Sequence, residues 1–275
     1  MLSIRTNLAS LNAQNHIYHS GERLSKSFER LSSGFRINSA ADDAAGLAVS
    51  ESLRAQIRSF AVAERNANNG ISMVNTAEAG LGEISSIVIR MRELAVQASN
   101  GDLSAANRSY IDTEYQSLIE EIDRVASSTE FNGVALLAGP STTIAFQVGI
   151  NTTAADQISV DFGDTSVATM GLTGTNVAGA DATASQAAIT AIDGALDALA
   201  SRRAGFGAAT NRLSTSVSAA QTIATNLSAA NSRIRDVDMA HETAEMAKAQ
   251  ILQQAGASML AQANQAPQLA MQLLG

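Results

Sequence analysis

The chain has 275 residues, 45% of them hydrophobic, and a formal net charge of −8. It has no Cys and no Trp, and aromatic residues make up only 4%. A disulfide framework, a thiolate nucleophile and Cys-ligated zinc are therefore excluded, and the acidic balance argues against a nucleic-acid binder, which needs a basic face. No apolar run approaches the roughly 18 residues of a membrane span. The opening segment carries Arg5, Asn7, Asn12, Gln14, Asn15 and Glu22 where a secretory leader needs unbroken apolar residues, so any export is expected to use another route. Nearly a fifth of the chain is alanine and only two residues are proline. That composition favours long helices packed through small side chains.

Apolar spacing gives the elements in order. Ile4, Leu8 and Leu11 keep helical step, and Ile17, Leu24, Phe28 and Leu31 resume after a small phase shift. From Leu53 a series runs through Ile57, Phe60, Ala67, Ile71, Val74 and Leu81. It slips one position near Gly80–Gly82 and continues through Ile84, Val88, Met91, Ala95 and Ala98 to a stop at Asn100–Gly101. Ile111, Tyr115, Leu118, Ile122 and Val125 mark a third helix. Residues 129–172 change character: Ile144, Phe146 and Val148, then Ile158, Val160 and Phe162, alternate with polar neighbours. They predict a β-hairpin with its loop over Gly149–Gln157, which is too small to stand without the helices. The longest series runs from Ile189 through Leu199, Phe206, Leu213 and Leu227 to Ile234; as one helix it would reach about 70 Å. The expected fold is mainly α: a long antiparallel, coiled-coil-like rod with one small β-hairpin and paired terminal helices. Residues 1–40 and 236–275 would form a core domain and 41–235 the rod, including the hairpin region 129–172.

Charge is unevenly placed. Between Val125 and Ser201 there is no Lys or Arg, and from Ala249 onward there is no charged side chain of either sign. An uncharged, leucine-rich end predicts a segment that is covered. The candidate self-assembly residues are Ile4, Leu8, Leu11, Ile251, Leu252, Met259, Leu260 and Leu269. Each such side chain contributes about 1.5–3 kcal/mol when buried, and ordering a residue costs about 1–2 kcal/mol. A lone two-helix pair therefore roughly breaks even, and neighbouring copies would complete it. Head-to-tail contacts that do not close build a helical filament, and any unpaired interior charge would be buried again in every copy.

Signals of catalysis are poor, and no enzyme, metal site or cofactor is expected. His241–Glu245 resembles half of a zinc-protease motif but lacks the second His. His16, His19 and Glu22 share a helical face and read as an exposed polar strip. Asp42 and Asp43 are adjacent, hence a poor acid–base dyad; they are expected to bond Arg side chains or helix termini near a bend.

Several blocks of residues resemble the bacterial flagellins. The N-terminal ones are Leu31–Leu47 (LSSGFRINSAADDAAGL), Asn69–Glu78 (NGISMVNTAE), Arg90–Gly101 (RMRELAVQASNG) and Glu121–Leu137 (EIDRVASSTEFNGVALL). The C-terminal ones are Ala230–Ala240 (ANSRIRDVDMA) and Gln250–Pro267 (QILQQAGASMLAQANQAP). The resemblance implies a structural subunit of the flagellar filament, the propeller of swimming motility, with paired terminal helices in the inner core. It further implies export through the flagellar type III channel, extracellular polymerisation under a cap protein, and an export chaperone and hook-associated proteins as partners. A surface read by a vertebrate Toll-like receptor would match Arg90, Leu94 and Glu114. The chain departs from many family members in having room for only a hairpin and a short linker at its centre. His241 also stands where an acidic residue is common. A hook–filament junction protein and a non-polymerising coiled-coil adaptor are the alternative readings.

Overall fold

Alanine-rich, proline-poor stretches become five α-helices. A computed structural model of the chain describes residues 6–139 and 143–272, with side chains as far as Gln265. The helices are α1 (Leu8–Ser33), α2 (Ala44–Ala98), α3 (Ala105–Ser128), α4 (Thr183–Arg235) and α5 (Met239–Gln272). Between α3 and α4 lie β1 (Glu130–Phe131), β2 (Val134–Ala135), β3 (Thr143–Gln147) and β4 (Gln157–Asp161). The mainly α class with a small hairpin is as expected. The chain divides into two compact units, Arg58–Ala224 and the combined segments Met1–Ile57 and Thr225–Gly275.

Within Arg58–Ala224 a seven-residue repeat organises the core. On α2, Ala67, Val74, Leu81, Val88 and Ala95 recur at sevens, interleaved with Ala77, Ile84, Met91 and Ala98, and all are buried. The residue 58–98 part of this helix alone is about 60 Å long. The predicted slip near Gly80–Gly82 is absent, because Gly70 rather than Ile71 holds the core position and, with Ala77 one heptad on, keeps the repeat unbroken. On α4, Ser185, Ile192, Leu199, Phe206 and Leu213 recur at sevens, with Ala188, Ala195 and Ala209 between them. On α4 large and small side chains thus alternate along the seam, a pattern that favours close interdigitation. Tyr115 and Ile122 supply the buried positions of α3, flanked by half-buried Ile111, Leu118 and Val125.

The expected hairpin is β3–β4, antiparallel, with Ile144 opposite Val160 and Phe146 opposite Ile158. Its loop is closed by Asp156, whose carboxylate accepts from the Thr153 hydroxyl and backbone N–H. A second, two-residue hairpin pairs β1 with β2. Asn132 (φ 52°) and Gly133 (φ 76°) form its turn, the left-handed pair that an Asn-Gly dipeptide favours.

The segment from Phe162 to Ala182, expected as a short linker, is a strap on the core. Phe162, Val167, Met170, Leu172 and Val177 are buried, and Phe162 packs on Phe206 with ring centres 5.5 Å apart. Carboxylates of α3 receive the strap's backbone: Asp123 accepts from the Val167 N–H at 2.9 Å and Asp112 from the Val177 N–H at 2.8 Å. Tyr115 and Gln116 bond Thr175.

Arg108 sits one repeat before Tyr115 and is 3% exposed. Its guanidinium donates to the carbonyls of Ala98 (2.9 Å), Asn100 (2.9 Å) and Ala180 (3.0 Å). It therefore satisfies the open C-terminal end of α2 and pins the end of the strap. Arg108→Ala is expected to lower stability by about 3 kcal/mol, since it strands buried carbonyls. Arg124→Ala, which breaks only the exposed pair with Glu121, should cost less than about 1 kcal/mol. Urea unfolding followed by helical circular dichroism separates the two.

Candidate assembly surface

The terminal unit is built around the α1/α5 pair, and its helix ends are well defined. The Asn7 side chain accepts from the Ser10 N–H and caps α1. Gly34 ends it at φ 75°, its N–H bonding the Arg30 carbonyl at 2.9 Å. Asp238 caps α5 by accepting from the N–H groups of Ala240 and His241. Between these ends the chain makes a short antiparallel bridge, Phe35 with Asp236. Arg36 N–H donates to Arg235 O at 2.6 Å, and Val237 N–H to Gly34 O at 3.0 Å. The Arg235 guanidinium lies 4.7 Å over the Phe35 ring and donates to Glu51 at 2.7 Å.

Of the adjacent aspartates, Asp43 meets a helix terminus as expected, whereas Asp42 bonds the turn before it and pairs with a lysine rather than an arginine. Asp42 accepts from the N–H groups of Ser39 (3.1 Å) and Asn38 (3.3 Å) and from the Ser39 hydroxyl, with Lys26 at 3.8 Å. Asp43 accepts from the Gly46 N–H at the start of α2.

The seam between α1 and α5 also follows a seven-residue repeat, filled with small and polar groups. On α1 it is carried by Ser10, Ile17 and Leu24 at one position and Ala13, Ser20 and Ser27 at the other. On α5 the corresponding sets are Glu242, Ala249, Gly256 and Ala263, and Met246, Gln253 and Leu260. Polar bonds cross it: Ser27 Oγ donates to Glu242 Oε1 at 2.6 Å, Ser10 Oγ to Asn264 Oδ1 at 2.9 Å, and Asn7 Nδ2 to Ala263 O at 2.8 Å.

Ile17, Leu24, Met246 and Leu260 are half-buried in the seam, but most other large apolar side chains of the pair face away. Among the described residues of this unit only Ile37 and Ala249 are buried apolar groups. Leu8, Leu11, Tyr18, Phe28, Phe35, Val49, Met239, Ile251, Leu252 and Met259 are exposed. Of the residues expected to drive assembly, Leu8 (67% exposed), Leu11 (49%), Ile251 (65%), Leu252 (44%) and Met259 (61%) lie outside. Leu260 is half-buried in the seam. Ile4 and the Leu269 side chain fall outside the described residues.

Other expected sites are placed as follows. Arg90 donates to Glu114 through Nε (3.0 Å) and Nη2 (2.9 Å) and to Glu93 through Nη1 (2.9 Å). Arg90 and Glu114 are exposed, whereas Leu94 is 2% exposed and belongs to the core beneath them. His19 and Glu22 form an exposed pair at 3.5 Å. Among the described residues no group of His, Asp or Glu could hold a metal ion, and no helix is long and apolar enough to cross a membrane.

The model of the bacterial flagellin N-terminal helical region matches residues 4–142, and that of the C-terminal helical region matches residues 189–274. The chain belongs to the bacterial flagellin family. A flagellin of Halalkalibacterium halodurans is 44% identical over 271 residues, covering 98% of this chain and 99% of that one. Polar flagellin C of Vibrio parahaemolyticus is 46% identical over 147 residues, which cover 54% of this chain but only 38% of that relative. The crystal structure of Bacillus cereus flagellin is 34% identical, with a TM-score of 0.51, over 61% of this chain and 94% of that one. This flagellin is a structural subunit of the bacterial flagellar filament, an extracellular homopolymer. Its β3–β4 hairpin and strap fall in the stretch between the two family models.

Sequence reasoning missed Arg108 and the polar seam. Both were legible only as heptad positions, and both were set aside because the residues there are not apolar.

The Ser39 N–H, helped by the Ser39 hydroxyl, the Asn38 N–H and Lys26, holds the Asp42 carboxyl below its ordinary range against the opposing effect of burial. A carboxyl with a depressed folded value stabilises the fold fully above its unfolded value, near about pH 4. That stability is lost as pH falls through the lower folded value, because the unfolded chain takes up the proton first. Melting temperatures measured from pH 5 down to pH 3 should therefore fall less steeply for Asp42→Asn than for the unaltered chain.

Proposed function

We propose that this flagellin polymerises through the outward face of its α1/α5 pair, where like copies cover Leu8, Leu11, Ile251, Leu252 and Met259. One observation carries the reading: a unit that, among its described residues, buries two apolar side chains while exposing ten large ones holds its driving force outside itself. Leu260, in the seam, supports the pair from within, and Ile4 and Leu269 extend the same apolar set by their sequence position. Residues 1–40 and 236–275 form the inner core on this reading, and 41–235 the outer helical part. The chain serves the filament with no catalytic step of its own.

The partners implied by the family complete the proposal. The subunit leaves the cell through the flagellar type III route, escorted by an export chaperone. It adds beneath a cap, beyond the hook-associated proteins. The exposed Arg90–Glu114 pair is the element that a vertebrate Toll-like receptor would meet, with Leu94 shaping the helix beneath it.

Ile251→Asp and Met259→Asp place a charge on side chains that are exposed in the single chain, so its helical content should not change. Each buried apolar group is worth about 1.5–3 kcal/mol. The concentration needed for filament growth from added fragments, read by light scattering and electron microscopy, should then rise roughly tenfold or more. Normal growth by both variants would remove the proposal. Failure of the unaltered chain to elongate seeds would favour a junction protein or a soluble adaptor.

A further inference from the structure

A seam of small and polar side chains specifies its register poorly through burial alone. Sliding α5 along α1 by one heptad, about 10 Å, would put Ala249 where Gly256 sits and Gln253 where Leu260 sits, at little loss of apolar contact. Register in such a pair is set by polar or steric features that a slide destroys. Two stand out here. Glu242, 7% exposed, accepts from Ser27 Oγ at 2.6 Å and lies 3.5 Å from Arg30 Nη1. The Arg30 charge is in the last turn of α1 and the Glu242 charge in the first turn of α5, where each helix dipole favours it. The second feature is steric: a Cβ added at Gly256 would stand 2.8 Å from Ile17 Cγ1, so the Ile17 side chain occupies a notch that only glycine leaves open.

The sequence of α1 also holds a competitor. Ser27 and Arg30 are repeated one heptad earlier as Ser20 and Arg23. Ser20 is buried in the same seam at 8% exposure. Arg23 lines the groove of about 330 Å³ that contains Glu242, together with Lys26, Arg36, His241 and Glu245. The carboxylate thus has a second seat of the same residue types, whose Ser20 hydroxyl now donates to the His16 carbonyl at 2.8 Å and would turn to receive it, so residue type alone does not choose between them. The Ile17 notch does: in the shifted register Ile17 would face Ala249, which has no notch to receive it.

We propose that Glu242, seated on Ser27 and Arg30, locks the register of the α1/α5 pair, and that the Ile17–Gly256 contact excludes the alternative seat on Ser20 and Arg23. The inference rests on reading this pair as the assembly element, since register fixes where Leu8 and Leu11 stand relative to Met259 on the outer face. Glu242 and Gly256 are positioning residues, acting on the polymer through the alignment of the two helices.

Because the chain has no native Cys, introduced pairs report register cleanly. Ala13→Cys with Leu260→Cys places thiols at facing seam positions, between the Ser10–Asn264 and Ile17–Gly256 contacts. Ala13→Cys with Gln253→Cys reports a one-heptad slide. Mild oxidation of the otherwise unaltered chain, soluble and polymerised, should close the first pair and not the second. Gly256→Leu should raise the ratio of shifted to native cross-link by about tenfold or more, and adding Ile17→Ala should return it. Glu242→Ala should raise the same ratio while leaving helical circular dichroism unchanged. A ratio unmoved by either Gly256→Leu or Glu242→Ala overturns the proposal. Native cross-linking in a chain that never elongates seeds would instead remove the assembly reading and leave the register assignment standing.

Discussion

Everything in this molecule depends on what fills a seven-residue repeat. The same spacing runs along α1, α2, α3, α4 and α5, yet the two units fill it in opposite ways. In Arg58–Ala224 the seam receives Leu81, Ile84, Met91, Ile192 and Leu199, and the large apolar groups are spent inside. In the terminal unit the seam receives Ser10, Ser20, Ser27, Ala249 and Gly256 beside half-buried Ile17, Leu24, Met246 and Leu260, and ten large groups among the described residues are left outside. Burial contributes about 25 cal/mol per Å² whichever surface supplies the cover. The first unit obtains that term from its own chain, whereas the second holds it in reserve for another surface. Helix propensity does not distinguish them, because alanine-rich sequence satisfies both.

How much was legible in sequence follows from this distinction. Period reports that a helix has a face, and so α2, α3 and α4, together with the β3–β4 alternation, could be placed from residues alone. Period does not report which face is inside. Leu8, Leu11 and Tyr18 keep helical step as well as a buried stripe would, while the seam beside them is marked by serines that an apolar template skips. The same blindness to small side chains produced the apparent slip at Gly80–Gly82: Gly70 and Ala77 are buried at the core positions, but a template for large residues favours Ile71. On α4, likewise, Ala188 and Ala195 hold the core while Ile189 and Leu196 sit at its margin.

Other departures have different causes. The strap after β4 shows neither the helix period nor the strand period, because its buried residues, Phe162, Val167, Met170, Leu172 and Val177, are spaced by turns. Asp112 and Asp123 accept from its backbone N–H groups, and nothing in the sequence around these carboxylates marks that role. Arg108 was invisible for a related reason: a buried arginine is expensive unless its donors are met, and here the acceptors are main-chain carbonyls that carry no sequence signature. Asp42 and Asp43 were readable because adjacent carboxylates in a bend have few roles other than capping.

The distribution of charge completes the argument. Ion pairs and capping carboxylates of the terminal unit gather where α1 gives way to α2 and α4 to α5: Lys26 with Asp42, Arg30 with Glu242, Arg235 with Glu51. Beyond Lys248 there are none, and polar character comes from glutamine and asparagine. Amides can exchange bonds with any neighbour, whereas a carboxylate or guanidinium enclosed by several copies needs its own partner in each one. A helix pair destined to be covered therefore keeps charge at its base, where one chain supplies both members of every pair, and keeps neutral groups along the length that other chains would touch. On the proposed assembly, the uncharged remainder is the part that would take the neighbour. This division explains why a surface of exposed leucine, isoleucine and methionine lies beside a seam held by serine hydroxyls rather than the reverse.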